Sequence, residues 1–247
     1  MPFFPENASS FGVAIDQLTL LITVCTAIAL GLAEAAVFYA LVRWRAGRSR
    51  QARHLTGESW TQARWVLLPV LIVVIGDLFI DLKTSSVWNE VKGRIPSPDV
   101  TVRIRGMQFA FLFSYPGPDG RLRTADDFTV PNELHVAVDQ NVKFELEASD
   151  VLHSLWIPSL RLKQDAVPGR VIAGWFRATR TGEYEVACAE ICGPGHTMMH
   201  ARLVVHSAEE FDRWLAGKGK IATTPLHSAP VELTMGRSDH PHPRPAQ

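Results

Sequence analysis

The chain begins with two long apolar runs and then changes period. From Val13 to Val42 the sequence is mostly apolar for 30 residues, interrupted chiefly by Asp16 and Glu34. That exceeds the about 20 residues that a helix needs to cross a hydrocarbon core. A second run, Trp65 to Leu82, holds 18 residues with Asp77 and Asp81 near its far end. Together they predict a transmembrane helical hairpin over residues 13–82. After a linker, 83–99, that contains Pro96 and Pro98, apolar positions recur at every second residue. Val100, Val102 and Ile104 alternate with Thr101, Arg103 and Arg105, and beyond Gly106 the parity shifts to Met107, Phe109, Phe111 and Phe113. A glycine at such a switch predicts a β-bulge. Leu134, Val136 and Val138, then Val142, Phe144 and Leu146, predict two strands around Asp139-Gln140-Asn141. Tyr184, Val186 and Cys188 predict a strand that runs into a cysteine-containing loop, and Leu203 and Val205 mark the strand that leaves it. Short strands separated by turn signals point to a β-sandwich over 100–217. Ser207 and Glu210 form a capping box for a short helix through Trp214, with Gly217 as its end. Residues 218–247, rich in Pro, Ser, Thr and His, predict a disordered tail.

Charge adds orientation to this pattern. Between the apolar runs lie Arg43, Arg45, Arg48, Arg50, Arg53 and Arg64 against one acid, Glu58, whereas residues 1–42 contain no lysine or arginine. By the positive-inside rule the loop is cytoplasmic, so the N-terminal segment 1–12 and everything after the hairpin lie outside the cytoplasm. A cleaved signal peptide would need a positive n-region, which the first run lacks. The 25 basic and 25 acidic residues cancel, and the part from Lys83 onward is itself balanced at 19 of each. No basic footprint for nucleic acid is present. With 47% hydrophobic residues the chain is not of the disordered class.

Candidate chemistry is concentrated in Cys188-Ala-Glu-Ile-Cys192-Gly-Pro-Gly-His196-Thr-Met-Met199. This segment offers two thiolates, one imidazole and a thioether on a loop tightened by Gly193, Pro194 and Gly195. Thioether beside thiolate and imidazole suits copper, whereas zinc gains little from methionine. A mononuclear copper loop needs one cysteine; a second allows two thiolates to bridge two copper ions. Such a pair requires another terminal imidazole, and His153, in Ser149-Asp150-Val151-Leu152-His153-Ser154, stands at a strand end upstream. Other readings stand beside this one. Cys188 and Cys192 would form a disulfide outside the cell if no metal were bound. Met198 reads as packing or linker, and Cys25 as an inert buried thiol. His135, His200 and His206 read as satisfied or surface histidines, and His227, His240 and His242 as part of a solvated tail. Asp119, Asp126 and Asp127 lack calcium-loop spacing and read as a hairpin loop.

These residues make the chain resemble subunit II of the haem-copper oxidases, the copper A type of cytochrome c oxidase subunit. The family pattern Cys-x-Glu-Ile-Cys-x-x-x-His-x-x-Met matches residues 188–199, Asp-Val-x-His-Ser matches 150–154, and Lys-x-Asp-Ala-x-Pro-Gly-Arg matches Lys163 to Arg170. The resemblance covers about residues 13–215. It implies a membrane-anchored, mainly β protein in which a two-helix hairpin precedes a cupredoxin-like Greek-key β-sandwich. By the same resemblance Cys188 and Cys192 bridge two coppers, His153 and His196 are terminal ligands, Met199 is an axial ligand and Glu190 lends its backbone carbonyl. The Glu190 carboxylate would face a magnesium ion at the border with the catalytic subunit. The implied role is to take electrons from a cytochrome c-like donor and pass them to haem, held only in catalytic subunit I, where oxygen is reduced. The location would be the cell inner membrane, with the C-terminal domain periplasmic.

Two positions depart from the family. Where it carries Gln-Trp-x-Trp for electron uptake, this chain has Gln108-Phe109-Ala110-Phe111, which leaves Phe109 and Phe111 as the candidates. Where it carries an acid three residues before the second-helix tryptophan, this chain has Gln62, which leaves Glu34 and Glu58 as candidate proton-path acids. Both departures admit a copper-A nitric oxide reductase as an alternative. A membrane-tethered copper carrier or sensor is a third reading, distinguished by one labile copper in place of a pair.

Overall fold

The computed structural model describes residues 5–45 and 56–222. Arg48, Arg50, Arg53, His227, His240 and His242 lie outside the described residues. Helix α1 spans Gly12–Arg43 and α2 spans Trp60–Trp88, with one π-turn, Asn89–Gly93, continuing it. At 1.5 Å per residue, the 32-residue α1 is about 48 Å long, more than a hydrocarbon core requires. Both are long and apolar enough to cross a membrane, and their apolar windows bury nothing inside this chain. Cys25, read as a buried thiol, is accordingly exposed on α1, because no other element of this chain covers it.

Ten strands follow: β1 Val100–Met107, β2 Ala110–Tyr115, β3 Phe128–Pro131, β4 Glu133–Ala137, β5 Val142–Ala148, β6 His153–Ile157, β7 Leu162–Ala166, β8 Ile172–Phe176, β9 Gly182–Cys188 and β10 His200–His206. They make a cupredoxin-like β-sandwich of two five-stranded sheets, ordered β3-β2-β1-β5-β8 and β4-β10-β9-β6-β7. The pairs β1/β5 and β4/β10 are parallel, and the other registered pairs are antiparallel. Alternation sends Val102, Ile104, Phe111, Phe113, Phe144 and Leu146 inward from one sheet, and Leu134, Val136, Leu155, Val186 and Leu203 inward from the other.

The structure corrects three expectations. Gly106 is not a bulge: it pairs with Phe111 on one side and Ala148 on the other, and Met107 pairs with Ala110. The parity shift arises at the two-residue turn Gln108-Phe109, so Met107 points outward while Phe111, Phe113 and Tyr115 point in. The expected linker 83–99 begins as helix, because Lys83 to Trp88 contain no breaker, and the first glycine or proline after them is Gly93. Likewise α3, Ala208–Ala222, runs through Gly217. That glycine has no positive φ among the described residues and so does not serve as a cap; it costs an exposed helix about 1 kcal/mol. The helix starts as expected, with Ser207 N–H donating to Glu210 Oε2 at 3.1 Å and Glu210 N–H to Ser207 Oγ at 3.3 Å.

The N-terminal residues before α1 lie on the sandwich. Ser9 bridges Ala178, Ala8 N–H donates to Ser159 O at 2.9 Å, and Phe11 is buried edge-on against Trp175 at 5.6 Å. Gly174, opposite Phe144 on β5 and β8, has the Phe144 ring where a Cβ would sit. Gly174→Ala is therefore expected to lower stability by about 1–3 kcal/mol, checked by a fall in the urea midpoint of the purified chain; an unchanged midpoint contradicts this packing.

Candidate metal centre

The site is assembled where β6 and β9 meet. Leu155 pairs with Cys188 in that register, so His153, two residues before Leu155 and on the same face, comes beside Cys188. From Cys188 the chain turns through residues 189–199 and returns, Cys188 N–H donating to Met199 O at 3.1 Å. Ala189 N–H donates to Ser154 O at 3.0 Å, which ties the loop to the strand bearing His153. Two glycines make this path possible. Gly193 has φ 134, and a Cβ there would run into the Gln108 side-chain amide, while a Cβ on Gly195 would run into the Phe109 ring, which lies over the loop. Gly106 has a related role, since its Cβ would stand 3.0 Å from the His153 ring.

Five donor side chains and one backbone carbonyl converge inside this frame. Cys188 Sγ and Cys192 Sγ are 4.0 Å apart. His153 Nδ1 faces Cys188 Sγ at 3.9 Å, and His196 Nδ1 faces Cys192 Sγ at 3.7 Å. Met199 Sδ is 3.7 Å from Cys192 Sγ, and the Glu190 carbonyl is 3.3 Å from Cys188 Sγ. His153 and Met199 are wholly buried, and both cysteines nearly so. Sulfurs at 4.0 Å are well outside the roughly 2.05 Å of a disulfide, and both thiols are free. Burial first, and the neighbouring Cys188 second, push the Cys192 thiol up to about 11. Metal bound to Cys192 would therefore displace its proton.

Outside the donors, one carboxylate organises the histidine. Asp150 Oδ1 accepts from His153 Nε2 at 2.8 Å and from Val151 N–H at 2.7 Å, and Oδ2 accepts from Gln108 N–H at 2.7 Å. Burial works to raise the Asp150 carboxyl, yet these bonds hold it below its ordinary value. With Nε2 engaged, Nδ1 is the nitrogen left to face a metal. Gln108 Nε2 donates to Cys192 O at 2.5 Å, so the β1–β2 turn grips both halves of the site. Sequence reasoning missed this network, whose only signal was Asp150 three residues before His153.

Two soft thiols in register, an imidazole nitrogen outside each and a thioether and carbonyl at the flanks fit a pair of soft metal ions. Glu190 is half-buried, and its carboxylate has no recorded hydrogen bond among the described residues. Other candidates fall away from the site. Phe111 is fully buried in the core and so presents no surface to a donor, whereas Phe109 is half-buried on the loop. Glu34 lies within α1. Glu58 precedes the first residue of α2, Trp60, and shares no helical face with Gln62; Gln62 Oε1 accepts from Gly57 N–H at 2.9 Å. His135 and His206 satisfy one another, Nδ1 to Nε2 at 2.9 Å, and stack beside Trp214. His200 is bound to Thr197 O at 3.0 Å on the surface, and Met198 is 79% exposed. Asp119, Asp126 and Asp127 bond within the β2–β3 loop.

The family model described as cytochrome C oxidase subunit II, periplasmic domain, matches residues 110–208. Cytochrome c oxidase subunit 2 of Thermostichus vulcanus is 31% identical over 274 aligned residues, which take in 90% of this chain and 80% of the relative. The corresponding protein of Synechocystis is 39% identical over 122 residues, 49% of this chain and 34% of that protein. The solved periplasmic domain of subunit II of cytochrome oxidase from Bradyrhizobium japonicum is 26% identical, with a TM-score of 0.47 over 52% of this chain and 99% of that one.

The donor arrangement ranks the ligands. Cys192→Ser is expected to abolish metal retention, Met199→Leu to keep the metal with a shifted potential and spectrum, and Met198→Leu to change neither. Metal analysis with optical spectra checks this ranking, and a spectral change confined to Met198→Leu reverses it.

Proposed function

The chain belongs to the cytochrome c oxidase subunit II family, and from that premise we propose that it is the electron-accepting subunit of a respiratory haem-copper oxidase. The observation that carries the reading is the buried thiol pair, 4.0 Å apart, with an imidazole Nδ1 facing each sulfur from outside. Cys188, Cys192, His153, His196, Met199 and the Glu190 carbonyl would together hold two coppers. A copper pair held this way supplies one-electron uptake and release with its charge spread over two metals and two sulfurs. What the chain contributes is rigidity and dryness: strand ends fix two of the donors, His153 and Cys188, the Asp150 carboxylate fixes the His153 ring, and Phe109 covers the loop. Donors held in a set position rearrange little when charge changes.

Placement follows from the same premise. The N-terminal residues and the sandwich are joined on one side of the helical hairpin, which suits an arginine-rich cytoplasmic loop and a periplasmic metal domain. A cytochrome c-like donor would meet the loop at the Phe109 side. Haem would reside in catalytic subunit I, which the exposed apolar helices would contact in the inner membrane. The half-buried Glu190 carboxylate is a candidate magnesium ligand at that border. The oxidase names of the relatives favour oxygen over nitric oxide as terminal acceptor.

The purified chain is expected to bind two coppers as a mixed-valence centre. Copper analysis and electron paramagnetic resonance check this, and one copper per chain with a mononuclear four-line pattern would falsify it. For proton supply, Glu34 is the remaining candidate acid within a span. Glu34→Gln is expected to depress turnover of the assembled oxidase with copper and haem content intact, while Glu58→Gln leaves it near normal; equal, undiminished turnover in both removes this subunit from the proton route.

A further inference from the structure

The hairpin formed by β6 and β7 carries His153 at its open end and is tied to α2 at its middle rung and to α1 at its closed end. Gln164 stands opposite Leu155, and Leu155 opposite Cys188, so one rung crosses β7, β6 and β9 to the metal site. On the helix side, Gln164 Oε1 accepts from Lys92 Nζ at 2.6 Å, Lys92 lying in the π-turn that ends α2. Between β6 and β7, Arg161 grips Asp16, five residues into α1, as a fork: Nε to Oδ1 at 2.7 Å and Nη2 to Oδ2 at 2.9 Å. Arg161 also donates to Pro5 O at 2.9 Å and Pro158 O at 2.8 Å. Two parallel bonds fix an angle as well as a distance.

Two observations set this pair apart from an ordinary surface contact. Arg161 has φ 55, in the left-handed region where glycine is favoured, and its side chain is only 8% exposed. An arginine held in that conformation is retained for what its side chain reaches. Asp16, for its part, breaks an apolar run suited to a membrane, where an acid is costly unless paired. The backbone seam of Ala8 and Ser10 with Ser159, Arg177 and Thr179 continues the same junction.

We propose that Arg161 and Asp16, assisted by Lys92 and Gln164, are positioning residues that lock the sandwich to the outer ends of both helices and so fix the height and tilt of the metal site over the membrane. Only the consequence for electron transfer rests on the functional reading above. From Ile157 back to His153, β6 covers roughly 14 Å at about 3.4 Å per residue. A small rotation at the clamp thus moves the ligand end by ångströms relative to any acceptor in a partner subunit.

Hydrogen exchange of the full-length chain in lipid nanodiscs tests the clamp without metal. In Asp16→Asn and in Arg161→Gly, the amides of Ala8, Ser10 and Thr179 are expected to exchange at least about tenfold faster, with the core strands unchanged. Arg161→Gly relieves the left-handed backbone, so misfolding does not mimic the effect. The reversed pair, Asp16→Arg with Arg161→Asp, is expected to restore protection. In the assembled oxidase the single variants should keep the copper content and spectrum and slow copper-to-haem transfer about tenfold or more, with recovery in the reversed pair. Unchanged exchange, an unaltered transfer rate despite loosened exchange, or loss of copper from Arg161→Gly each overturns the proposal. A wild-type complex that passes no electrons from this chain's metal to haem overturns the functional reading instead, and the exchange measurements still decide the clamp.

Discussion

The candidate metal site depends on one short piece of pairing, the contact of β6 with β9. Two registered pairs, Leu155 with Cys188 and Trp156 with Ala187, bring a histidine and a cysteine 35 positions apart in sequence onto adjacent strands. With a side-chain period of two, a slip of one residue would turn His153 to the opposite face of its sheet. The buried flanks guard against that slip: Leu155 and Ile157 are fully inside, while Trp156 between them is partly exposed. The apolar core that holds the sandwich together is thus also what aligns the ligands.

The donors occupy a dry region, and that decides how they are held. A buried imidazole with an unengaged nitrogen is poorly defined in orientation, and the Asp150 carboxylate removes that freedom. Asp150 is in turn oriented by Gln108 and Val151, and Gln108 reaches the Cys192 carbonyl, so a closed set of bonds links the strand and loop halves. The same burial that strengthens these bonds pushes the Cys192 thiol up.

Local features were legible in the sequence and long-range ones were not. The loop 188–199 carries four of the donor side chains and the Glu190 carbonyl within twelve residues, and its spacing alone indicated soft-metal chemistry. The capping box and the apolar runs were equally local. By contrast, a strand–turn–strand with a two-residue turn shifts apolar parity just as a bulge does, so the pattern around Gly106 does not separate the two, and the pairing of Met107 with Ala110 does. Phe111 looked like a surface aromatic because the family motif was aligned to it, whereas strand alternation puts it in the core. The docking of Ala8 and Phe11 on the sandwich left no periodic trace, since a handful of residues outside any regular element has no period to read.

The seat of that N-terminal segment is made of residues more than 150 positions further along the chain: Ser9 bridges Ala178, and Ala8 bonds Ser159 and Thr179. Synthesis reaches Ala178 and Thr179 only after α1, α2 and β1 to β8, so the segment cannot be fully docked until then. Closing so long a loop carries an entropy cost that only a finished surface can offset. Docking of Phe11 beside Trp175 therefore cannot precede synthesis of β8, which carries that tryptophan.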